Sequence, residues 1–163
     1  MTDREFAQAG RLMFIIAWLI FFVLLFVFFL YYNQSEKGSY QITQGRVTIS
    51  PDAQGHYRIK GAINDYPVEF MVDTGATLVA VPQKLATQFG LEGRYPVTID
   101  TASGEVTGSL ARLKQLSFAG FVLNDVKAVI VPGSQDDTVL LGMNVLSKFN
   151  LSQQDKRLVI KKE

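Results

Sequence analysis

The 163-residue chain contains no cysteine. Disulfides, thiolate nucleophiles and cysteine-ligated zinc are excluded, and the redox state of its compartment is left open. Histidine is almost as scarce, with His56 the single example. Serine-type amide hydrolysis needs a base, normally histidine. His56 instead sits in the alternating stretch His56-Tyr57-Arg58-Ile59-Lys60, the pattern of a solvent-facing strand position. Catalytic zinc takes about three protein ligands rich in histidine, and neither an HExxH motif nor a phosphate-binding loop is present. No metal and no cofactor is expected. An excess of either charge is also missing: 16 basic residues face 15 acidic ones, and no basic run is interleaved with aromatics. Nucleic acid is not an expected partner.

What the chain does have is a long hydrophobic run. Residues 12–32, LMFIIAWLIFFVLLFVFFLYY, carry no charge, and a helix of that length at ~1.5 Å per residue spans the ~30 Å hydrocarbon core of a bilayer. A cleavable signal peptide has an apolar region of about 7 to 15 residues and a small-residue exit. Here the exit is Phe29-Leu30-Tyr31-Tyr32, so the reading is an uncleaved transmembrane anchor rather than a signal peptide or a buried core helix. Arg4 and Arg11 precede the run and Lys37 follows it. The positive-inside rule then favours a cytoplasmic N-terminus at residues 1–11 and an exported C-terminal part.

Residues 33–43, NQSEKGSYQIT, are polar and aperiodic, and read as a linker. The domain is expected over residues 44–163. Its β-like segments fall at 46–50, 56–63, 68–72, 78–81, 97–101, 105–118, 122–123, 126–131 and 157–161. Turn signals separate them at Pro51-Asp52, Asn64-Asp65, Ser103-Gly104, Ala119-Gly120 and Pro132-Gly133. Two short helices are expected, at 82–89, with Pro82 at its start and Gly90 ending it, and at 143–149. The fold class is mainly β and mainly antiparallel, a single small barrel.

Among the carboxylates, Asp73 has the telling context. An apolar Phe70-Met71-Val72 precedes it and Thr74-Gly75-Ala76 follows, so a buried strand delivers it into a turn of small residues. An aspartate turn bonded to its own backbone would read the same way.

From residue 46 to 162 the chain resembles the retropepsin-like aspartic proteases, in particular their single-domain, membrane-anchored bacterial members. The elements come in that family's order: the strand into Asp73-Thr74-Gly75-Ala76-Thr77, the segment Thr101-Ala102-Ser103-Gly104, and Val139-Leu140-Leu141-Gly142-Met143-Asn144. The resemblance implies a retropepsin-like acid-protease barrel and names Asp73 as the catalytic carboxylate. It implies that Thr74 braces its counterpart across the site, that Gly75 lets a backbone amide reach the carboxylates, and that Ala76 and Thr77 continue the loop beside the substrate. Ala102, Ser103 and Gly104 would form the tip of a mobile flap, or an ordinary hairpin turn. Leu140, Leu141 and Gly142 would pack under the catalytic loop, or simply lead a strand into a helix.

Two aspartates a few ångströms apart cannot both ionise cheaply, so such a pair shares a proton. One partner then activates water while the other polarises the scissile carbonyl. Asp100-Thr101-Ala102 mimics a second motif, but it lacks the glycine and falls in the flap segment. Asp65, Asp125, Asp136 and Asp137 lie in polar, turn-like surroundings. The remaining source of a second carboxylate is a second copy of the chain, whose two-fold axis would bring Asp73 to its own twin. The resemblance implies an intersubunit sheet built from chain ends, with residues 157–161 as its candidate, or else a strand paired inside its own domain. The expectation is a homodimeric aspartic endopeptidase held in the bacterial inner membrane, its protease domain periplasmic and a peptide or protein its substrate. The alternatives are an inactive membrane-tethered peptide-binding module on the same fold, and a structural envelope protein.

Overall fold

The computed structural model describes residues 3–34, 38–43, 45–101, 104–133 and 137–162. It separates into two compact units, Met1–Lys37 and Gly38–Glu163. The first is one helix, α1 (Asp3–Gln34), which continues past both ends of the apolar run. Within it Met13–Leu30 has a mean hydropathy of 3.1 and no buried residue, and is long and apolar enough to cross a membrane. By length and composition it suits an anchor or a signal sequence.

The second unit is built of strands. In chain order they are β1 (Tyr40–Thr43), β2 (Arg46–Ile49), β3 (Arg58–Ile63), β4 (Tyr66–Val72) and β5 (Val79–Pro82). The short helix α2 (Gln83–Gln88) follows, then β6 (Tyr95–Thr101), β7 (Gly104–Phe118), β8 (Phe121–Val131) and β9 (Thr138–Leu141). Helix α3 (Met143–Leu146), β10 (Asn150–Gln154) and β11 (Arg157–Lys161) complete it. Seven strands form a sheet in the order β3-β4-β9-β5-β8-β7-β6, and a further pairing of β3 with β7 closes six of them into a barrel. The closure needs Gly61. A Cβ there would lie 2.1 Å from the Ser117 carbonyl oxygen and 2.7 Å from the Phe70 ring, so only glycine lets the two backbones meet at this seam. Most pairings are antiparallel, but β4 with β9 and β5 with β8 are parallel.

Two-residue turns set the hairpin registers. Asn64-Asp65, Ala119-Gly120 and Asp155-Lys156 all have positive φ at both central residues, the conformation whose twist matches the flanking strands. Alternation along the strands fills the core: Ile59, Ile63, Phe70, Val79, Val81, Leu113, Leu116, Phe118, Val139 and Leu141 are buried. Each such side chain contributes about 1.5 to 3 kcal/mol by leaving water.

A second sheet, in the order β1-β2-β11-β10, inserts Val47, Ile49 and Ile160 into the same core. It changes one expectation and decides another. Residues 40–43, read as linker, are strand β1 paired along its length with β2; four residues were too few for a periodicity to register. Of the two readings of residues 157–161, the strand paired inside its own domain holds: β11 is a central strand bonded to β2 on one side and β10 on the other. Its edges are occupied within its own chain. Residues 122–123 and 126–131 belong to one strand, β8, because Asp125 adopts a positive φ of 56° without shifting the register against β7. Both helices are shorter than expected.

Candidate active site

β4 and β5 lie on either side of β9, so the connection between them, residues 73–78, must cross the end of β9. Asp73 is its first residue. The backbone is anchored on both flanks: Val72 N donates to Tyr57 O at 2.9 Å and Asp73 N donates to Leu141 O at 3.2 Å. The carboxylate is half-buried, and its Oδ1 accepts a hydrogen bond from the Gly75 amide at 2.8 Å. Ala76 N closes the turn onto Asp73 O at 3.3 Å. Thr74, Gly75 and Thr77 are exposed and Ala76 half-buried, so this face of the loop is open to whatever meets it.

The loop rests on the corner where β9 becomes α3. The first amides of a helix have no partners inside it, and here Met143 N bonds Ala76 O at 2.8 Å and Asn144 N bonds Thr77 O at 3.0 Å. Gly142 makes the approach possible, since a Cβ at that position would sit 2.4 Å from Leu78 O and 2.9 Å from Ala76 O. Leu141 and Gly142 are buried, while Leu140 is half-buried. Asn144 then ties three elements together. Its Oδ1 accepts from Val79 N of β5 at 3.1 Å, and its Nδ2 donates to Lys127 O of β8 at 2.8 Å. Sequence reading placed Asn144 at the end of a motif without giving it this function; a polar residue next to a helix start was the available signal.

The other acidic side chains are disposed elsewhere. Asp65 is exposed in the β3–β4 turn, Asp125 pairs with Arg112, and Asp137 pairs with Lys84 at 2.7 Å. Asp100 is exposed on β6, opposite Glu105 of β7. Asp136 lies outside the described residues, as do Ala102 and Ser103 of the expected flap. The hairpin that carries that tip is described up to the facing pair Thr101 and Gly104, where Thr101 Oγ1 donates to Gly104 O at 2.7 Å. A groove of about 470 Å³ lined by Lys60, Glu69, Lys84 and Gln88 does not include Asp73. Among the described residues, no group of three or more histidine, aspartate or glutamate side chains could hold a metal ion.

One carboxylate was overlooked as a turn residue. The side chain of Asp52 is only 2% exposed; its Oδ1 accepts from the Gln54 and His56 amides at 3.0 and 2.8 Å, and its Oδ2 from Arg58 Nε at 2.8 Å. Burial pushes this carboxyl up, but the Arg58 guanidinium and the two amides outweigh it and hold it below the ordinary carboxylate value. Arg58 is raised in return, chiefly by its bond to Asp52. Its Nη1 reaches on to Glu69 of β4 at 3.3 Å and Thr138 of β9 at 3.0 Å. Arg58 thus clamps together the two parallel strands that deliver Asp73 and Gly142.

A barrel of this topology, with one Asp-Thr-Gly loop seated on an apolar-apolar-glycine corner, defines the retropepsin-like class of aspartic proteases. Residues 59–148, over half of the chain, match the family described as "gag-polyprotein putative aspartyl protease", and the chain belongs to that family. A retropepsin-like aspartic protease from Rickettsia conorii has the same fold, with a TM-score of 0.64 and 28% identity over 77% of this chain and 96% of that one. Two uncharacterized relatives are similar in sequence. One, from Rickettsia prowazekii, is 31% identical over 119 residues, covering 71% of this chain and 51% of its own length. The other, encoded in the cobV 5' region of a Sinorhizobium species, is 26% identical over 113 residues, covering 68% and 48%. The chain therefore spans about half the length of the curated relatives it matches.

Proposed function

We propose that the chain is a membrane-anchored, homodimeric aspartic endopeptidase in which Asp73 of each of two copies supplies half of the catalytic dyad. The observation that carries this reading is Asp73 itself. It is a half-buried carboxylate held by backbone on both flanks, in a family of aspartic proteases, with no second Asp-Thr-Gly in the sequence.

Paired across a two-fold axis, the two carboxylates share one proton because like charges at short range cannot both ionise cheaply. The ionised partner takes a proton from a water held between them. The hydroxide so formed adds to the scissile carbonyl while the protonated partner hydrogen-bonds the developing oxyanion. Collapse of the tetrahedral intermediate, with a proton passed to the leaving amine, completes the hydrolysis. Gly75, whose amide already bonds Asp73 Oδ1, orients each carboxylate, and Thr74 and Thr77 face the partner and the substrate. The 101–104 hairpin closes over the bound peptide and excludes water. Residues 12–32 anchor the chain with its N-terminus in the cytoplasm and its protease domain in the periplasm, which confines two copies to one surface and raises their effective concentration. A reporter fused after Glu163 reads out that orientation.

The test is peptide cleavage at acidic pH by the full chain in lipid vesicles. Asp73→Asn abolishes it. Mixing wild-type and Asp73→Asn chains in equal amounts leaves about one quarter of the activity, as a dyad shared by two copies requires, rather than one half. Activity in the pure variant, or a linear mixing curve, defeats the proposal. Peptide binding without cleavage, even at high surface density, points instead to the inactive binding module.

A further inference from the structure

A shared dyad needs a seam between the two copies, and the strand named as one candidate for it, β11, has both edges occupied. Among the described residues, the outer strands of that four-stranded sheet are β1 and β10. The geometry points to β1: we infer that Tyr40–Thr43 pairs antiparallel with Tyr40–Thr43 of a second copy, about a two-fold axis at Gln41. This rests on the homodimeric reading above and names the surface that builds it.

The bonding pattern of β1 selects the register. Ser50 N donates to Ser39 O at 2.8 Å, so residues 39 and 50 form a hydrogen-bonded pair of the β1–β2 ladder. Bonded and non-bonded pairs alternate along an antiparallel ladder. Gln41, opposite Thr48, and Thr43, opposite Arg46, therefore also turn their backbone groups toward β2. Tyr40 and Ile42 turn theirs outward, to the open edge. An axis at Gln41 sets Tyr40 against Ile42 of the partner subunit, and the reverse, so that all four outward residues of the two strands are bonded to one another.

Side chains favour the same arrangement. Residues two apart share a face of a strand, so Ile42 lies on the face from which Tyr40 packs against the core. Yet Ile42 is 54% exposed. In the proposed register the partner's Tyr40 is its direct cross-strand neighbour, an aromatic against a β-branched side chain, a pairing that stabilises sheets. β1 carries no lysine, proline or bulge of the kind that protects an open edge. β10, Asn150-Leu151-Ser152-Gln153-Gln154, has no exposed large apolar side chain to cover. The sequence also places β1 six residues beyond the end of α1, so anchoring two helices in one membrane holds their β1 strands close together. One two-fold axis must then pass both through Gln41 and between the two Asp73 side chains.

The chain's lack of cysteine makes the test clean. Facing residues of a non-bonded antiparallel pair have Cα atoms about 4.5 Å apart, within the ~4.4 to 6.8 Å range of disulfides. In vesicles under mild oxidation, full-length Gln41→Cys should form a covalent dimer in the majority of chains, and Ser152→Cys on β10 should remain largely monomeric. Ile42→Pro removes only an outward amide and leaves the β1–β2 bonds in place; it should keep the wild-type melting profile and lose at least tenfold in dimer affinity and in activity. Crosslinking through Ser152→Cys in preference to Gln41→Cys overturns the proposal, as does an Ile42→Pro chain that dimerises like wild type. If Gln41→Cys crosslinks while no peptide is cleaved, the seam stands and the protease reading fails. If cleavage obeys the quarter rule while Gln41→Cys stays monomeric, the protease reading stands and the seam fails.

Discussion

Replacing Gly142 by alanine adds one methyl group, and the structure fixes where that group must go. Its carbon would lie 2.4 Å from the Leu78 carbonyl oxygen and 2.9 Å from that of Ala76. Both atoms are backbone of the loop that carries Asp73, so no rotamer change relieves the clash. Gly142 itself has φ −84° and ψ 175°, a conformation alanine adopts freely, and no backbone strain confuses the outcome. Either the loop or the start of α3 must retreat. That stretches the bonds from Met143 N to Ala76 O and from Asn144 N to Thr77 O, now 2.8 and 3.0 Å. Overpacking of this kind costs about 1 to 3 kcal/mol, and each weakened bond adds about 1 kcal/mol. A total of about 3 to 5 kcal/mol takes a large part of the ~5 to 15 kcal/mol that a domain possesses. For a β unit of this size it lowers Tm by about 10 to 20 °C. Thermal unfolding of the detergent-solubilised full chain, followed by its β-sheet circular dichroism, measures the shift, and peptide cleavage should fall with it even well below Tm. A variant melting within about 2 °C of wild type would refute the close packing of the Asp73 loop on the β9–α3 corner.

Other perturbations probe the supports further out. Asn144→Ala leaves the buried Val79 amide and the Lys127 carbonyl without their partners and should destabilise by about 2 to 4 kcal/mol in denaturant unfolding. Arg58→Met strands the Asp52 carboxylate in the interior, at a cost of about 3 to 5 kcal/mol; the loss should shrink when Asp52→Asn is added in the same chain. The Asp52 pKa is depressed on folding from its ordinary 3.8, so the stability it contributes is fully present above that value and is lost as pH falls through the folded value. Asp52→Asn should therefore be less stable than wild type at neutral pH, and the difference should narrow in strong acid, as acid titration followed by circular dichroism would reveal.

Much of this molecule was legible in the sequence because local rules agreed with the global ones. Phe70-Met71-Val72 running into Asp73-Thr74-Gly75 announced a buried strand meeting a tight turn, and Asn64-Asp65 and Ala119-Gly120 announced the hairpins that set the register. The misreadings share one cause, pairing that no local pattern reports. Tyr40–Thr43 was passed over because a four-residue edge strand is recognised by its neighbour β2 rather than by its own alternation. Asp125 looked like a break, since only the facing β7 shows that the register carries through it. Asp52 entered only as part of a turn signal because its burial depends on Arg58, and the reach of Arg58 to Thr138 joins positions 80 residues apart. The proposed second half of the site has a different basis: it is inferred from what the sequence of one chain does not supply, a second Asp-Thr-Gly.

The bonds that shape the Asp73 loop also set a timetable. Val79 waits for Asn144, which follows it by 65 residues, and β4 gains its parallel neighbour only when β9 exists. At synthesis rates of about 5 to 20 residues per second, the loop spends several seconds without the corner that gives it shape. Nascent chains, and fragments broken off before residue 138, thus carry the acidic motif without its geometry. The shape of the loop is thus written 65 residues downstream of it, and the order of translation lays down the motif before the corner that gives it form.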